Sequence, residues 1–228
     1  MDENIWHLSH EGLDLEDPKN PADLEKILSW VTPPEKAMDE AEIIEIGFEK
    51  GNPVAINGEK LKAAELVKKL NVISGKHGIG IDDIVESRMV GMKSRGLYEN
   101  PAASVLHFAH EKLESVTMHP DALQYKQKIA LDYANLVYAG KWMTPLKEAM
   151  DAFIEETQEN VTGKVKVKLY KGSMQPAGIF ATNSLYLEEY ATFEEDDVYN
   201  QSDATGFINL FGLSTKIYAK ALKEGEKK

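Results

Sequence analysis

Cysteine is absent from the 228 residues of this chain. Disulfide bonds, thiol catalysis and cysteine metal sites are therefore excluded, and a reducing compartment is compatible with the sequence. Long hydrophobic runs are missing as well, since none approaches the ~18 residues that span a bilayer. The opening residues, 1–7, show no basic segment followed by an apolar one, so they do not predict a secretory signal. We expect a cytoplasmic protein with no membrane partner.

Basic residues are too few to balance the acidic ones. The chain has 26 Lys and Arg against 38 Asp and Glu, a net charge of −12. A general nucleic-acid binder needs a net basic surface to displace counterions, so we expect no nucleic-acid partner. Hydrophobic residues make up 43% and charged residues 28%, as in an ordinary globular protein. A chain of this length buries roughly 70% of its unfolded surface and needs no metal or disulfide to fold.

Several catalytic signatures are also missing. The loop Gly75–Gly80 has neither the Gly-Lys-Ser/Thr ending of a phosphate-binding loop nor the third glycine of a dinucleotide fingerprint. The pairs His7/His10 and His107/His110 are spaced i, i+3, whereas the zinc protease motif needs i, i+4 with an internal Glu. No serine lies in a Gly-x-Ser-x-Gly turn. We therefore predict no metal site.

Strand and helix signals are grouped along the chain rather than strictly alternating, which favours an α+β fold. We predict a mixed or antiparallel sheet covered by helices, with a C-terminal helical oligomerisation extension. Strands are expected at 42–49, 53–56, 81–85, 164–170 and 177–181. Helices are expected after Asn20-Pro21, along 61–70, and after Asn100-Pro101, His119-Pro120, Thr144-Pro145, Asn183-Ser184 and Ser202-Asp203, with a last one over 214–222.

The densest polar stretch is 75–99, which combines both charge signs with five glycines. Such a stretch suits a small zwitterionic ligand, because cations and backbone amides can bind its carboxylate and an acidic side chain its ammonium. A solvated loop with surface ion pairs is the alternative interpretation. The spacing of the residues alone leaves both open.

Four long motifs, in one order along the chain, resemble the argininosuccinate synthase family. They are DENIWHLSHEG with LEDP (2–12 and 15–18); GKHGIG leading to VESR, VGMKSRG and YE (75–99); TQENVTG before KLYKG (157–172); and YNQSDATGFI (199–208). Ser87 stands where the family commonly has Asn. The resemblance covers only the family's C-terminal half, because the Ser-Gly-Gly-x-Asp loop of its ATP-binding domain is missing. We therefore expect Met1 to lie inside the family's sequence, as in a fragment or a split gene product.

The resemblance implies a reaction of arginine biosynthesis and the urea cycle. The family joins citrulline to aspartate with ATP and Mg²⁺, giving argininosuccinate, AMP and pyrophosphate. The ureido oxygen of citrulline attacks the α-phosphate, and the aspartate amine then displaces AMP. ATP and its Mg²⁺ belong mainly to the missing domain, where the catalytic residues are also expected. No cofactor is predicted for this chain alone, and by itself it is predicted to be inactive.

Three citrulline contacts carry over by motif: Ser9, Glu86 and Tyr98. Glu86 can pair with the α-ammonium, and the two hydroxyls can donate or accept hydrogen bonds. A further family serine would lie just before Met1. The structural alternatives are that Glu86 pairs with Arg88 or Arg95, that Tyr98 anchors the loop, and that Ser9 caps a helix.

The resemblance also implies a domain organisation and partners. We predict a citrulline-binding synthetase domain over 1–201, extended by oligomerisation helices over 202–228 without an independent fold. The expected partners are the ATP-binding domain, in cis or in trans, and further copies in a homotetramer. The alternatives are a non-catalytic assembly module and one chain of a split enzyme.

Overall fold

A computed structural model of the chain describes residues 1–191, 198 and 200–225. Contacts divide the chain into two compact units, Met1–Leu185 and Tyr186–Lys228. The boundary after residue 201 that the sequence suggests stays a prediction. No helix within the described ranges is long and apolar enough to cross a membrane.

The strands all pair in antiparallel fashion. In chain order they are β1 Asp2–Glu3, β2 Leu8–Glu11, β3 Glu42–Glu49, β4 Asn52–Ile56, β5 Glu59–Lys60, β6 Ile81–Ser87, β7 Lys93–Glu99, β8 Gly163–Tyr170 and β9 Ser173–Ala181. Within the described residues they form one sheet with the order β1-β2-β7-β6 and a second with the order β5-β4-β3-β8-β9. The predicted α+β class is confirmed, with antiparallel rather than mixed sheets.

The helices begin mostly where the sequence predicts. They are α1 Leu24–Ile27, α2 Ala63–Gly75, α3 Pro101–Thr117, α4 Pro120–Tyr138, α5 Pro145–Gln158, α6 Glu188–Ala191, α7 Asp203–Phe211 and α8 Leu213–Gly225. Proline occupies the first position of α3, α4 and α5, where its missing N–H costs no hydrogen bond. The side chain of Asn100 does not cap α3; it donates instead to Asp82 at 2.6 Å.

The main core lies between the β5-β4-β3-β8-β9 sheet and helices α2 and α3. In β8, Val165, Val167 and Leu169 are fully buried, while the intervening lysines face outward. This is the period of two expected for a sheet with one solvated face. Leu66 and Leu70 of α2, with further apolar residues of α3, cover the apolar side. The strand predicted at 164–170 is confirmed, and it pairs in antiparallel fashion with one face toward solvent.

Two predicted helices are shorter than expected. The helix after Asn20-Pro21 is reduced to α1, because the backbone amides of Ser29, Trp30 and Val31 donate to the carboxylate of Glu99 instead of continuing a helix. The helix expected from Asn183-Ser184 begins only at Glu188. The intervening backbone is bonded elsewhere, since the amide of Leu185 donates to the carbonyl of Val116 at 2.7 Å.

Candidate functional site

The three predicted site residues lie on one face of the β1-β2-β7-β6 sheet. Ser9 of β2 is directly opposite Tyr98 of β7, and Tyr98 is opposite Asp82 of β6. Glu86 lies four residues beyond Asp82 on the same strand, so it shares the face. All three residues line one cavity of about 710 Å³. The structure therefore brings together the residues that the motifs single out.

Tyr98 and Glu86 contact each other directly. The Tyr98 hydroxyl donates to Oε1 of Glu86 over 3.1 Å. Burial raises the pKa of Tyr98 to about 12, and the negative charge of Glu86 adds to the rise. At neutral pH the phenol is therefore uncharged and acts as a donor toward the carboxylate. The Glu86 side chain keeps 25% of its surface exposed, so a ligand can reach it from the cavity.

Ser9 lies at the other side of the cavity. Its side chain is buried, and its hydroxyl donates to the backbone carbonyl of Asp2 at 3.4 Å. Because Ser9 belongs to β2, the alternative that it caps a helix is wrong. Because this hydrogen bond is long, the hydroxyl can rotate toward a ligand at a small cost in free energy. Its oxygen also has two lone pairs that can accept hydrogen bonds from the ligand.

Arg88 is a cavity residue that the motif comparison did not single out. Its Nη2 donates to Oε1 of Glu11 at 2.6 Å and to Oγ of Ser94 at 3.1 Å, while its Nη1 is 4.0 Å from Glu86. The main ion pair of Arg88 is therefore with Glu11, and Glu86 is left with Tyr98 as its nearest hydrogen-bond partner. The alternating faces of β2 and β6 could have signalled Glu11 and Asp82 as cavity residues, but not this pairing.

Arg95 does not belong to the site. It pairs with both carboxylate oxygens of Asp83, at 2.7 and 2.6 Å, on the opposite face of the sheet. The alternative that Arg95 binds Glu86 is therefore wrong. The Arg95 hydrogen bond holds the pKa of Asp83 below its usual range.

The polar stretch 75–99 is divided between separate places in the fold. Lys76 and His77 both bind Glu42 of the other sheet, at 2.6 and 3.0 Å. Lys93 donates to the Ser87 hydroxyl beside the turn between β6 and β7. The stretch is therefore not one site: Asp82, Ile84, Glu86, Arg88 and Tyr98 line the cavity, and the other residues named here lie elsewhere.

The electrostatic character of the cavity is acidic. Carboxylates of Asp2, Glu11, Asp82 and Glu86 line it, against the single guanidinium of Arg88 among the described residues. Such a surplus favours a ligand group with positive charge, such as an α-ammonium. Within the described part of the chain, no cluster of His, Asp and Glu residues could hold a metal ion.

The opposite face of the sheet is anchored through a buried carboxylate. Glu99 is completely buried and accepts hydrogen bonds from the amides of Ser29, Trp30 and Val31. Nε2 of His10 is a further partner at 2.8 Å. Several donors to one buried carboxylate offset the cost of removing it from water. This anchor fixes the strand that carries Tyr98.

Residues 1–218 match the family model described as arginosuccinate synthase C-terminal domain. The chain belongs to this family. Argininosuccinate synthase from Carboxydothermus hydrogenoformans is 57% identical over 229 residues, covering 100% of this chain and 56% of that protein. The protein of the same name from Desulforamulus reducens is 56% identical, covering 98% of this chain and 55% of its own length. The chain spans about half the length of the curated relatives it matches, so its membership concerns the C-terminal domain.

Proposed function

We propose that this chain is the citrulline-binding half of an argininosuccinate synthase. The main observation in support is that Ser9, Glu86 and Tyr98, from three different strands, lie on one face of the sheet and line one cavity. The complete protein would condense citrulline with aspartate, with ATP converted to AMP and pyrophosphate, in the cytoplasm. ATP bound with Mg²⁺ by the other half would supply the activating adenylyl group to the ureido oxygen, with pyrophosphate as the leaving group.

The chain's own role in this proposal is to hold the amino-acid end of citrulline. Glu86 forms a charge-assisted hydrogen bond with the α-ammonium, and the acidic surroundings add to its attraction. Tyr98, whose hydroxyl already donates to Glu86, keeps that carboxylate oriented. Ser9 offers a hydroxyl to the ligand from the opposite side. With this end fixed, the ureido group is presented to the other half at a constant distance, which is how positioning accelerates a reaction.

The proposed partners are the ATP-binding half and further copies of the chain. The apolar side chains of α7 and α8 are exposed, and they support an oligomer contact in a tetramer. A non-catalytic assembly module would use these helices too, but it would have no use for an acidic cavity with a buried serine.

Calorimetric titration with L-citrulline tests the proposal. The matched ligand is Nα-acetyl-citrulline, which lacks only the ammonium. The titrations are run on the chain alone and on the chain mixed with the remaining half of the Carboxydothermus hydrogenoformans relative. Binding of citrulline, with the acetylated ligand weaker by about tenfold or more, is expected. Equal affinities, or no heat from either preparation, would contradict the proposal.

A further inference from the structure

The hydrogen bond between Tyr98 and Glu86 joins two residues whose backbone positions are far apart along the strand direction. In the strand register Tyr98 is opposite Asp82, whereas Glu86 is opposite Ser94. Four residues of a strand extend over roughly 13 Å. A tyrosine ring standing perpendicular to the sheet at position 98 would point away from Glu86, so the ring has to lie along β7 to make the 3.1 Å hydrogen bond.

Gly96 is the residue over which this ring lies. A Cβ atom at position 96 would be 2.8 Å from Cε2 of Tyr98 and 3.1 Å from both Cζ and the hydroxyl oxygen. Real Cβ atoms do not approach an aromatic ring that closely. Gly96 is not among the residues with positive φ, so its backbone conformation is open to other residues. Glycine within a strand marks a close approach by another group, and here that group is the tyrosine ring.

We infer that Gly96 is a positioning residue of the cavity, which acts by letting the Tyr98 ring lie flat and bring its hydroxyl to Glu86. The inference rests on the proposed function for its ligand, citrulline, but its structural part stands on the contacts alone. A side chain at position 96 would lift the ring into the cavity. That movement would break the hydrogen bond to Glu86 and take up space that the ligand needs.

His7 provides a probe of the ring position that needs no ligand. Its imidazole lies edge-on to Tyr98, with ring centroids 5.7 Å apart. An aromatic ring current changes the NMR frequency of nearby protons, and the chain has only six histidines to resolve. We expect Gly96→Ala to shift the His7 ring protons, with the resonance assigned by loss of the signal in His7→Gln. Lys166→Ala is the control, because this exposed lysine lies on the solvated face of the other sheet. Unshifted His7 protons in Gly96→Ala would overturn the inference.

A double-mutant cycle separates a steric effect on Tyr98 from a general effect on the strand. Gly96→Ala, Tyr98→Ala and the double variant are compared by urea unfolding. If the alanine at 96 clashes with the ring, its destabilisation is largely lost when the ring is removed. Additive destabilisation would show that position 96 acts independently of Tyr98 and would also overturn the inference. The cycle remains informative if Gly96→Ala alone does not fold, since the double variant is then expected to fold.

Measuring citrulline affinity tests whether the position of the Tyr98 ring matters for ligand binding. We expect Gly96→Ala to weaken this affinity about tenfold or more, and Lys166→Ala to leave it unchanged. A shifted His7 signal with unchanged citrulline affinity would overturn the role of Gly96 in the site. No citrulline binding by the unaltered chain would count against the proposed function, whereas the NMR and unfolding results would still decide whether Gly96 sets the position of Tyr98.

Discussion

Nε2 of His10 lies 2.8 Å from Oε1 of Glu99, on the face of the sheet opposite Ser9 and Tyr98. Each of the two residues is the immediate chain neighbour of a cavity residue. Because side chains alternate along a strand, β2 and β7 each place one residue toward the cavity and the next toward the anchor. The cavity and the buried carboxylate that supports it are therefore built from the same strands.

Glu99→Gln should destabilise the chain. The substitution keeps the size of the side chain but replaces one acceptor oxygen by an NH₂ donor, so that backbone N–H groups of residues 29–31 lose their acceptor. Leaving buried donors unsatisfied costs roughly 1–3 kcal/mol, and more where a charge was involved. Urea unfolding followed by circular dichroism measures the change, with the exposed Glu40→Gln as control. Equal unfolding midpoints for the two variants would refute the role of Glu99 as an anchor.

Glu86→Gln should weaken citrulline binding without unfolding the chain. The variant keeps the size of the side chain but removes the charge that faces the ammonium. The loss of one charge-assisted hydrogen bond costs roughly 1.5–3 kcal/mol, or about ten- to hundredfold in affinity. Asp83→Asn is a matched control, since it removes a carboxylate from the same strand on the other face. If both variants bind citrulline like the unaltered chain, Glu86 has only a structural role.

Alkaline pH should reveal the environment of Tyr98. Its pKa is about 12 in the folded chain, against a usual value near 10. Between these values the unfolded chain has released the proton and the folded chain still holds it, so the free energy of unfolding falls as pH rises. Tyr98→Phe should make this decrease shallower when urea midpoints at about pH 9 and 11 are compared. Tyr125→Phe, at a half-exposed ring outside the proposed oligomer contact, serves as control; an equal slope in all three proteins would contradict the prediction.

Deleting residues 202–228 should lower the oligomer mass while leaving a folded core. The segment carries large apolar side chains that are between 48% and 76% exposed: Phe207, Ile208, Leu210, Phe211, Leu213, Ile217, Tyr218 and Leu222. Burying each against a neighbouring copy is worth roughly 1.5–3 kcal/mol. Light scattering measures the mass. An unchanged mass would exclude the segment as the main contact, and global unfolding would show that it completes the subunit's own core.

A point variant tests the same contact without a deletion. Phe211→Asp should also reduce the mass, because a charge cannot be buried there unpaired. Lys216→Asp introduces the same side chain at an already charged position and should leave the mass unchanged.

The chain alone should release no pyrophosphate from ATP, with or without citrulline. Its sequence lacks the Ser-Gly-Gly-x-Asp loop that holds the triphosphate in the family, and phosphoryl chemistry requires a positioned triphosphate. A coupled pyrophosphate assay on the purified chain measures this. ATP- and citrulline-dependent release by the chain alone would refute the prediction, whereas release only after mixing with the other half of a relative would support a two-chain enzyme.

Local sequence signals predict the parts of this fold that local forces determine. The alternation in β8 and the X-Pro starts of α3, α4 and α5 are examples. In contrast, α1 ends early because Glu99, some seventy residues later, binds the amides of 29–31. Strand β7 was not predicted, since its polar residues serve a cavity on one side and ion pairs on the other and therefore show little apolar alternation.

The residues of the candidate site were identified from the family resemblance and not from the spacing of residues along the chain. Ser9, Glu86 and Tyr98 are distant in sequence, and only the family motifs identify them together. The pairing of Arg88 with Glu11 requires β2 and β6 to lie on either side of β7, which no sequence period reveals. The sequence gives no signal for the role of Gly96, because that role depends on the Tyr98 ring lying over it in the folded chain.

Because Tyr98 and Glu99 are adjacent in β7 and serve opposite faces, this strand should tolerate almost no insertion or deletion. Removing one residue between Ser94 and Tyr98 would shift the pairing by one, turning the phenol toward the anchor segment and the carboxylate into the cavity. Homologous chains are therefore expected to vary in length at the turn 88–92, where Met89 and Val90 are exposed, and to keep β7 constant. Gaps in an alignment would then mark the limits of the cavity wall.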